Sequence, residues 1–183
     1  NAKAIGAVNT IVNNDGKLRG YNTDFSGFEY MVLRHGITLT DKKVIVLGNG
    51  GAAQAIKAVV RKHNAKTMIV VIDDGEAISY DECFAHHTDA EVIINTSPVG
   101  MFPKVDASPV DLTKFPKCEA VLDVVYNPLT TKFVAQAKEL GMIGVNGLEM
   151  LVAQAKYAVE IFLGTEIDDA RIQEIYEDVK ELI

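Results

Sequence analysis

Tryptophan is absent from this 183-residue sequence, and cysteine is nearly so, with only Cys83 and Cys118. Two cysteines cannot build the disulfide framework of a small secreted domain, and neither lies in a Cys-x-x-Cys pair or a Cys/His spacing that suits zinc. Both read as reduced, buried side chains. His86-His87 is an adjacent pair, whose rings point different ways on a helix or strand, so it reads as a loop or helix end and no metal is expected. Basic residues are outnumbered 18 to 25, for a net charge of −7. The Lys and Arg residues are scattered, whereas phosphate backbones need them clustered, which excludes nucleic acid as a partner. No apolar run approaches the ~20 residues that span a bilayer, so no membrane partner is expected. The chain opens Asn-Ala-Lys-Ala-Ile-Gly, with neither Met nor a signal-peptide pattern. It is expected to start inside a longer protein, and its acidic balance suits the cytoplasm.

What is present suits a globular domain: hydrophobic residues make up 48% and charged residues 23%, enough to fill one core. Residues 4–13 read as a strand, Asn14-Asp15-Gly16 as a turn and 17–21 as the returning strand of a hairpin. Thr23 or Asp24 is expected to cap a helix over 25–35, with Phe25, Phe28, Val32 and Leu33 on its apolar face. The apolar runs at 44–47, 67–73, 91–95 and 120–125 lack alternation, as expected of strands buried on both faces of a parallel sheet. Helices are expected after Gly48-Asn49-Gly50-Gly51 and at 130–140, with a short strand at 142–145. Two helices, 148–163 and 169–182, end the chain. The fold class is α/β: a doubly wound, Rossmann-like parallel sheet, preceded by a β-hairpin and followed by C-terminal helices.

The glycine-rich segment Gly48, Asn49, Gly50, Gly51, Ala52 stands between a strand and a helix. A dinucleotide pyrophosphate needs close backbone approach and the free N–H groups of a helix start, and this segment supplies both. Asp73 follows the next strand, 25 residues after Gly48. An acid there binds ribose hydroxyls and repels a 2′-phosphate; a polar turn at a strand end is the other reading. Asp24 is either a helix cap or a reactive acid. Asn9, placed mid-strand among apolar residues, is either structural or aimed at a polar ligand. Asn95-Thr96-Ser97-Pro98 puts small polar groups at the carboxyl edge of the sheet, and Gln154 interrupts an apolar helix face. Met142 and Met150 read as core.

Six strings in order, GAVNT (6–10), GYNTD (20–24), GNGGAAQA (48–55), NTSPVGM (95–101), VVYNPL (124–129) and NGLEMLVAQA (146–155), resemble the shikimate dehydrogenase family over residues 4–164. The resemblance implies reduction of 3-dehydroshikimate to shikimate with a nicotinamide cofactor. It places Asp24 as the acid of a catalytic Lys/Asp pair. Asn9, Asp24, Tyr126 and Gln154 would contact substrate. Gly48, Asn49, Gly50, Gly51 and Ala52 would form the pyrophosphate loop, with Thr96, Val124 and Gly147 near the cofactor. It divides the chain into a remnant hairpin of the substrate domain (1–23), a dinucleotide-binding domain (24–146) and helices that pack back on the substrate domain (147–183).

Three departures from the family pattern carry expectations of their own. No catalytic Lys can be assigned, so the chain alone is expected to be inactive. Asp73-Asp74 replaces the Asn-Arg-Thr of NADP-binding members, which favours NAD over NADP. Only 21 residues lie between Asp73 and Asn95, so the family helix there is expected to be missing. Quinate dehydrogenase, another reductase using this nucleotide domain, and a non-catalytic nucleotide-binding module are the other readings. The apolar face of the hairpin (Ile5, Ala7, Ile11) and the Gln154 helix are expected to stand exposed and drive homodimer formation.

Overall fold

Four apolar segments, KVIVL, TMIVV, VIIN and AVLD, form the heart of a five-stranded parallel sheet in the computed structural model, which describes residues 2–72 and 77–183. The chain begins with a helical turn α1 (Ala2–Ile5) and the hairpin β1 (Thr10–Asn14) and β2 (Lys17–Tyr21). Helix α2 (Thr23–Arg34) leads to β3 (Lys43–Leu47), α3 (Gly51–Lys62) and β4 (Thr67–Val71). Then come α4 (Tyr80–His86), β5 (Val92–Asn95), β6 (Ala120–Asp123), α5 (Lys132–Glu139) and β7 (Ile143–Val145). The last two helices are α6 (Leu148–Leu163) and α7 (Ala170–Lys180).

The sheet order is β4-β3-β5-β6-β7, with Ile45 opposite Ile69 on one side and Ile93 on the other. The winding therefore reverses between β3 and β5, and the crevice beyond their carboxyl ends is where open α/β sheets bind ligands. Gly48 and Thr96 follow those two strands. One face of the sheet is packed by α2 and α3 through Phe28, Met31, Val32, Ile56, Val59 and Val60. The other is packed around Cys83, Phe115, Phe133 and Ala137. Cys83 and Cys118 are both free and buried, and Met150 is core, as expected from the sequence. Among the described residues no helix is long and apolar enough to cross a membrane.

The structure corrects the sequence reading at several points. Residues 4–13 are not one strand. The Gly6 N–H closes the α1 turn on the Ala2 carbonyl at 2.9 Å, and the ladder starts only where the Asn9 N–H meets the Tyr21 carbonyl. Asn9 thus precedes β1 and is exposed rather than buried mid-strand. Neither Thr23 nor Asp24 caps α2; Asn22 does, accepting from the Phe25 N–H. Leu33 lies outside the packed face of α2, 64% exposed. The helix expected to be missing before β5 is present as α4, seven residues long and capped by Ser79. Ile78 makes an isolated parallel bridge beside Val71 on the outer strand of the sheet. Ile5 is buried instead of exposed, because it belongs to α1 and not to the hairpin. The Gln154 side of α6 is half-buried against α2.

Candidate functional site

The glycine loop is built for close approach at its base and for open space at its tip. Gly48 has φ +103°, and a Cβ on it would fall 2.7 Å from Thr96 Oγ1. The Thr96 hydroxyl and N–H both donate to the Leu47 carbonyl, at 2.7 and 2.8 Å, and the Gly48 N–H donates to Val71. Gly48 and Thr96 are therefore locked together at the reversal point of the sheet. Gly50 caps α3 without any side-chain hydrogen bond, and a Cβ on Gly50 or Gly51 would meet nothing within 4 Å. Among the described residues no packing contact calls for glycine at those two positions, which leaves the backbone open to close approach. Uncapped N–H groups at a helix start suit an anion. Asn49 is exposed, and its Oδ1 accepts from Lys57 Nζ at 2.6 Å. Asp73 lies outside the described residues.

A second cluster joins the hairpin to α2 and α6. With Asn22 doing the capping, Asp24 is left half-buried in the first turn of α2 with no capping duty. Burial raises its carboxyl above the ordinary range, and the Asn9 side chain acts in the opposite direction. Asn9 Oδ1 accepts from the Thr23 N–H at 2.9 Å and from the Thr10 hydroxyl at 3.1 Å. The Thr23 hydroxyl lies 3.3 Å from Asn9 Oδ1 and 3.2 Å from Gln154 Oε1. Asn9 and Gln154, picked separately from the sequence, thus meet on Thr23, and Asn9 also acts on the carboxyl of Asp24. Gly27, which the sequence reading passed over, makes this possible: a Cβ there would sit 2.7 Å from the Met150 carbonyl and 2.9 Å from Gln154 Cβ.

Beside Thr96 lies a cleft of about 380 Å³, lined by Thr96, Ser97, Met101, Phe102, Val124 and Tyr126 among others. Val124 and Gly147 touch so closely that a Cβ on Gly147 would overlap the Val124 carbonyl at 2.1 Å. Gly147 is also the residue from which α6 starts. One route of contacts therefore runs from Gly48 through Thr96, the cleft and Val124 to Gly147, then along α6 to Gln154. A hollow of about 470 Å³ near Ser108, Asp111, Lys132 and Gln136 contains none of these residues.

The structure adds a buried acid that the sequence reading treated only as part of a strand. Asp123 is fully buried at the end of β6. Desolvation pushes its carboxyl up to about 6, against hydrogen bonds from Thr131, Val125 and Asn95 that pull it down. A lone carboxylate inside the run AVLDVV was the available signal, because a buried acid needs partners. Among the described residues no group of three or more His, Cys, Asp and Glu is placed to hold a metal ion.

No family model matches the chain. A shikimate dehydrogenase (NADP(+)) from Clostridium perfringens (strain SM101 / Type A) is 40% identical over 191 residues, a match covering 98% of this chain and 70% of that protein. Among solved structures, a chorismate mutase/shikimate 5-dehydrogenase fusion protein from Clostridium acetobutylicum superimposes with a TM-score of 0.93 at 39% identity, over 100% of this chain and 69% of that one. Shikimate 5-dehydrogenase from Thermus thermophilus, in complex with NADP(H) and shikimate, gives 0.83 at 31% identity, over 97% and 70%. The Listeria monocytogenes enzyme, in complex with shikimate and NAD, gives 0.80 at 28% identity, over 95% and 69%.

Proposed function

The chain belongs to the shikimate dehydrogenase family, and on that premise we propose that it carries the cofactor site and part of the substrate site of an enzyme reducing 3-dehydroshikimate to shikimate. It is an NAD(P)-dependent oxidoreductase by kinship. The observation that carries the substrate reading is the meeting of Asn9 and Gln154 on Thr23, with the half-buried Asp24 next in the chain and its carboxyl acted on by Asn9.

In this reading the nicotinamide cofactor, when bound, supplies the hydride. Gly48, Asn49, Gly50, Gly51 and Ala52 hold its pyrophosphate by backbone N–H groups at the start of α3, and Thr96, Val124 and Gly147 border its nicotinamide end. Asp73 takes the ribose hydroxyls, and Asp73-Asp74 favours NAD over NADP by repelling a 2′-phosphate. Asn9 and Gln154 bind substrate hydroxyls, and Tyr126 closes the cleft beside them. Asp24 exchanges the hydroxyl proton; its raised carboxyl pKa suits a group that must hold and release a proton.

Burial and Asn9 are what act on that carboxyl, and among the described residues no lysine is assigned to it as a partner. We therefore assign the chain three parts, a substrate-domain hairpin (1–23), a dinucleotide domain (24–146) and returning helices (147–183), and expect the chain alone to lack turnover. An assay of shikimate oxidation with either dinucleotide, with Asp24→Asn as control, tests this. Absence of turnover is the expected result. Turnover that disappears in the Asp24→Asn variant would show a complete catalytic site and overturn the expectation.

A further inference from the structure

Asp123 is not among the residues that line the cleft, yet both of its walls hang from it. One carboxylate oxygen, Oδ1, accepts from the Val125 N–H at 3.0 Å and from Asn95 Nδ2 at 2.9 Å. The other accepts from the Thr131 hydroxyl at 2.7 Å, and that same hydroxyl caps α5. Asn95, held in this way, gathers the first wall: its Oδ1 accepts from the Ser97 N–H and hydroxyl at 3.1 and 2.6 Å, and its Nδ2 also reaches the Val99 carbonyl at 3.3 Å. Val125 belongs to the second wall, and its carbonyl accepts from the Gly147 N–H at 2.9 Å, where α6 begins. A direct bond from the Phe102 N–H to the Asn127 carbonyl ties the two walls at their far end.

A buried strand end has no packing need for a carboxylate. A leucine or valine would fill the space without the cost of a desolvated charge. What such a residue could not do is satisfy three donors, from Asn95, Val125 and Thr131, that arrive from three separate segments. All three are neutral groups, so hydrogen-bond geometry is what the acid contributes.

We propose that Asp123 is a positioning residue for the nicotinamide end of the site, acting through Asn95 and Ser97 on one wall and through Val125 and Gly147 on the other. The role of the cleft rests on the family reading above; the coupling of the two walls does not.

The test compares Asp123→Asn, Asp123→Ala and Asn95→Ala in the full chain, by amide hydrogen exchange and by NADH titration. Asn keeps an acceptor for Asn95 and Val125 and can donate to Thr131, so it should keep Ser97, Val125 and Gly147 protected and bind NADH as the wild-type chain does. Ala should lose protection at Ser97, Val125 and Gly147, with β3 amides unchanged, and bind NADH about tenfold more weakly. Asn95→Ala should free Ser97 and leave Gly147 protected, and it decides the matter if Asp123→Ala does not fold. Wild-type protection in Asp123→Ala, uniform loss across the sheet, failure of Asp123→Asn to rescue, or equal loss at Ser97 and Gly147 in Asn95→Ala would each overturn the proposal. If the wild-type chain binds no dinucleotide, the family reading of the site fails, and the exchange data alone still decide the coupling.

Discussion

The Thr23 hydroxyl meets Gln154 Oε1 at 3.2 Å across α2 and α6, and Gly27, one turn further along α2, is what lets the two helices come that close. A Cβ at position 27 would press on the Met150 carbonyl and on Gln154, both part of the α6 body. Gly27→Ala should therefore push the helices apart at the substrate cluster. Overpacking of this kind costs about 1–3 kcal/mol, readable in urea denaturation. A variant as stable as the parent chain would mean that the helices yield at no cost.

Gly147→Ala should be more severe. Its Cβ would overlap the Val124 carbonyl and carbonyl carbon, which are backbone atoms with no rotamer to escape into. Destabilisation at or above the upper end of overpacking, about 3 kcal/mol, is expected, together with loss of NADH binding in whatever fraction remains folded. Thermal melts with and without NADH separate the two effects.

Asp123 gives the protein a pH signature. Its folded-state pKa is raised to about 6 from an ordinary 3.8, so between those values the folded protein holds the proton more tightly than the unfolded chain. The stability it contributes is complete below the unfolded value and is lost as pH rises through about 6. Above that, the buried carboxylate costs on the order of 3 kcal/mol. Asp123→Asn should remove this dependence, so the stability difference between wild type and variant should change between pH 4 and pH 7 and level off above it. A constant difference across that range would contradict the assignment.

How much of this was legible in the sequence depends on whether a residue's role is local. The parallel strands could be read because burial on both faces writes a continuous apolar run, and the glycine loop because a strand, a glycine turn and a helix are adjacent in the chain. Asn9, Asp24 and Gln154 could be named by resemblance, but what brings Gln154 to Asn9 is Thr23 and Gly27, whose contacts with α6 cross more than 100 residues and are recorded by no local pattern. The strand expected at 4–13 failed because β-branched and apolar residues continue through a segment whose backbone turns at Gly6. The missing helix failed on length alone: seven residues with a Ser79 cap suffice for α4.

Self-association should follow from the hairpin, through Ile11 as the sequence suggested but with Val8 and Leu18 in place of Ile5. Ile5 is buried, while Val8, Ile11 and Leu18 are exposed, Ile11 at 59% and Leu18 at 72%. The register places Ile11 and Leu18 on one face of the hairpin, and Val8 lies against Gly20 on it. Light scattering at tens of micromolar should report a dimer, and Ile11→Thr with Leu18→Lys should shift it towards monomer. A wild-type monomer under those conditions would show that this face is tolerated in water.

The most direct test of the whole account is calorimetric titration of this chain with NAD and, separately, NADP at matched salt. The account requires binding at the glycine loop and predicts that NAD binds more tightly, because Asp73-Asp74 repels a 2′-phosphate. Tighter NADP binding would contradict the role given to Asp73, and binding of neither dinucleotide would contradict the site itself.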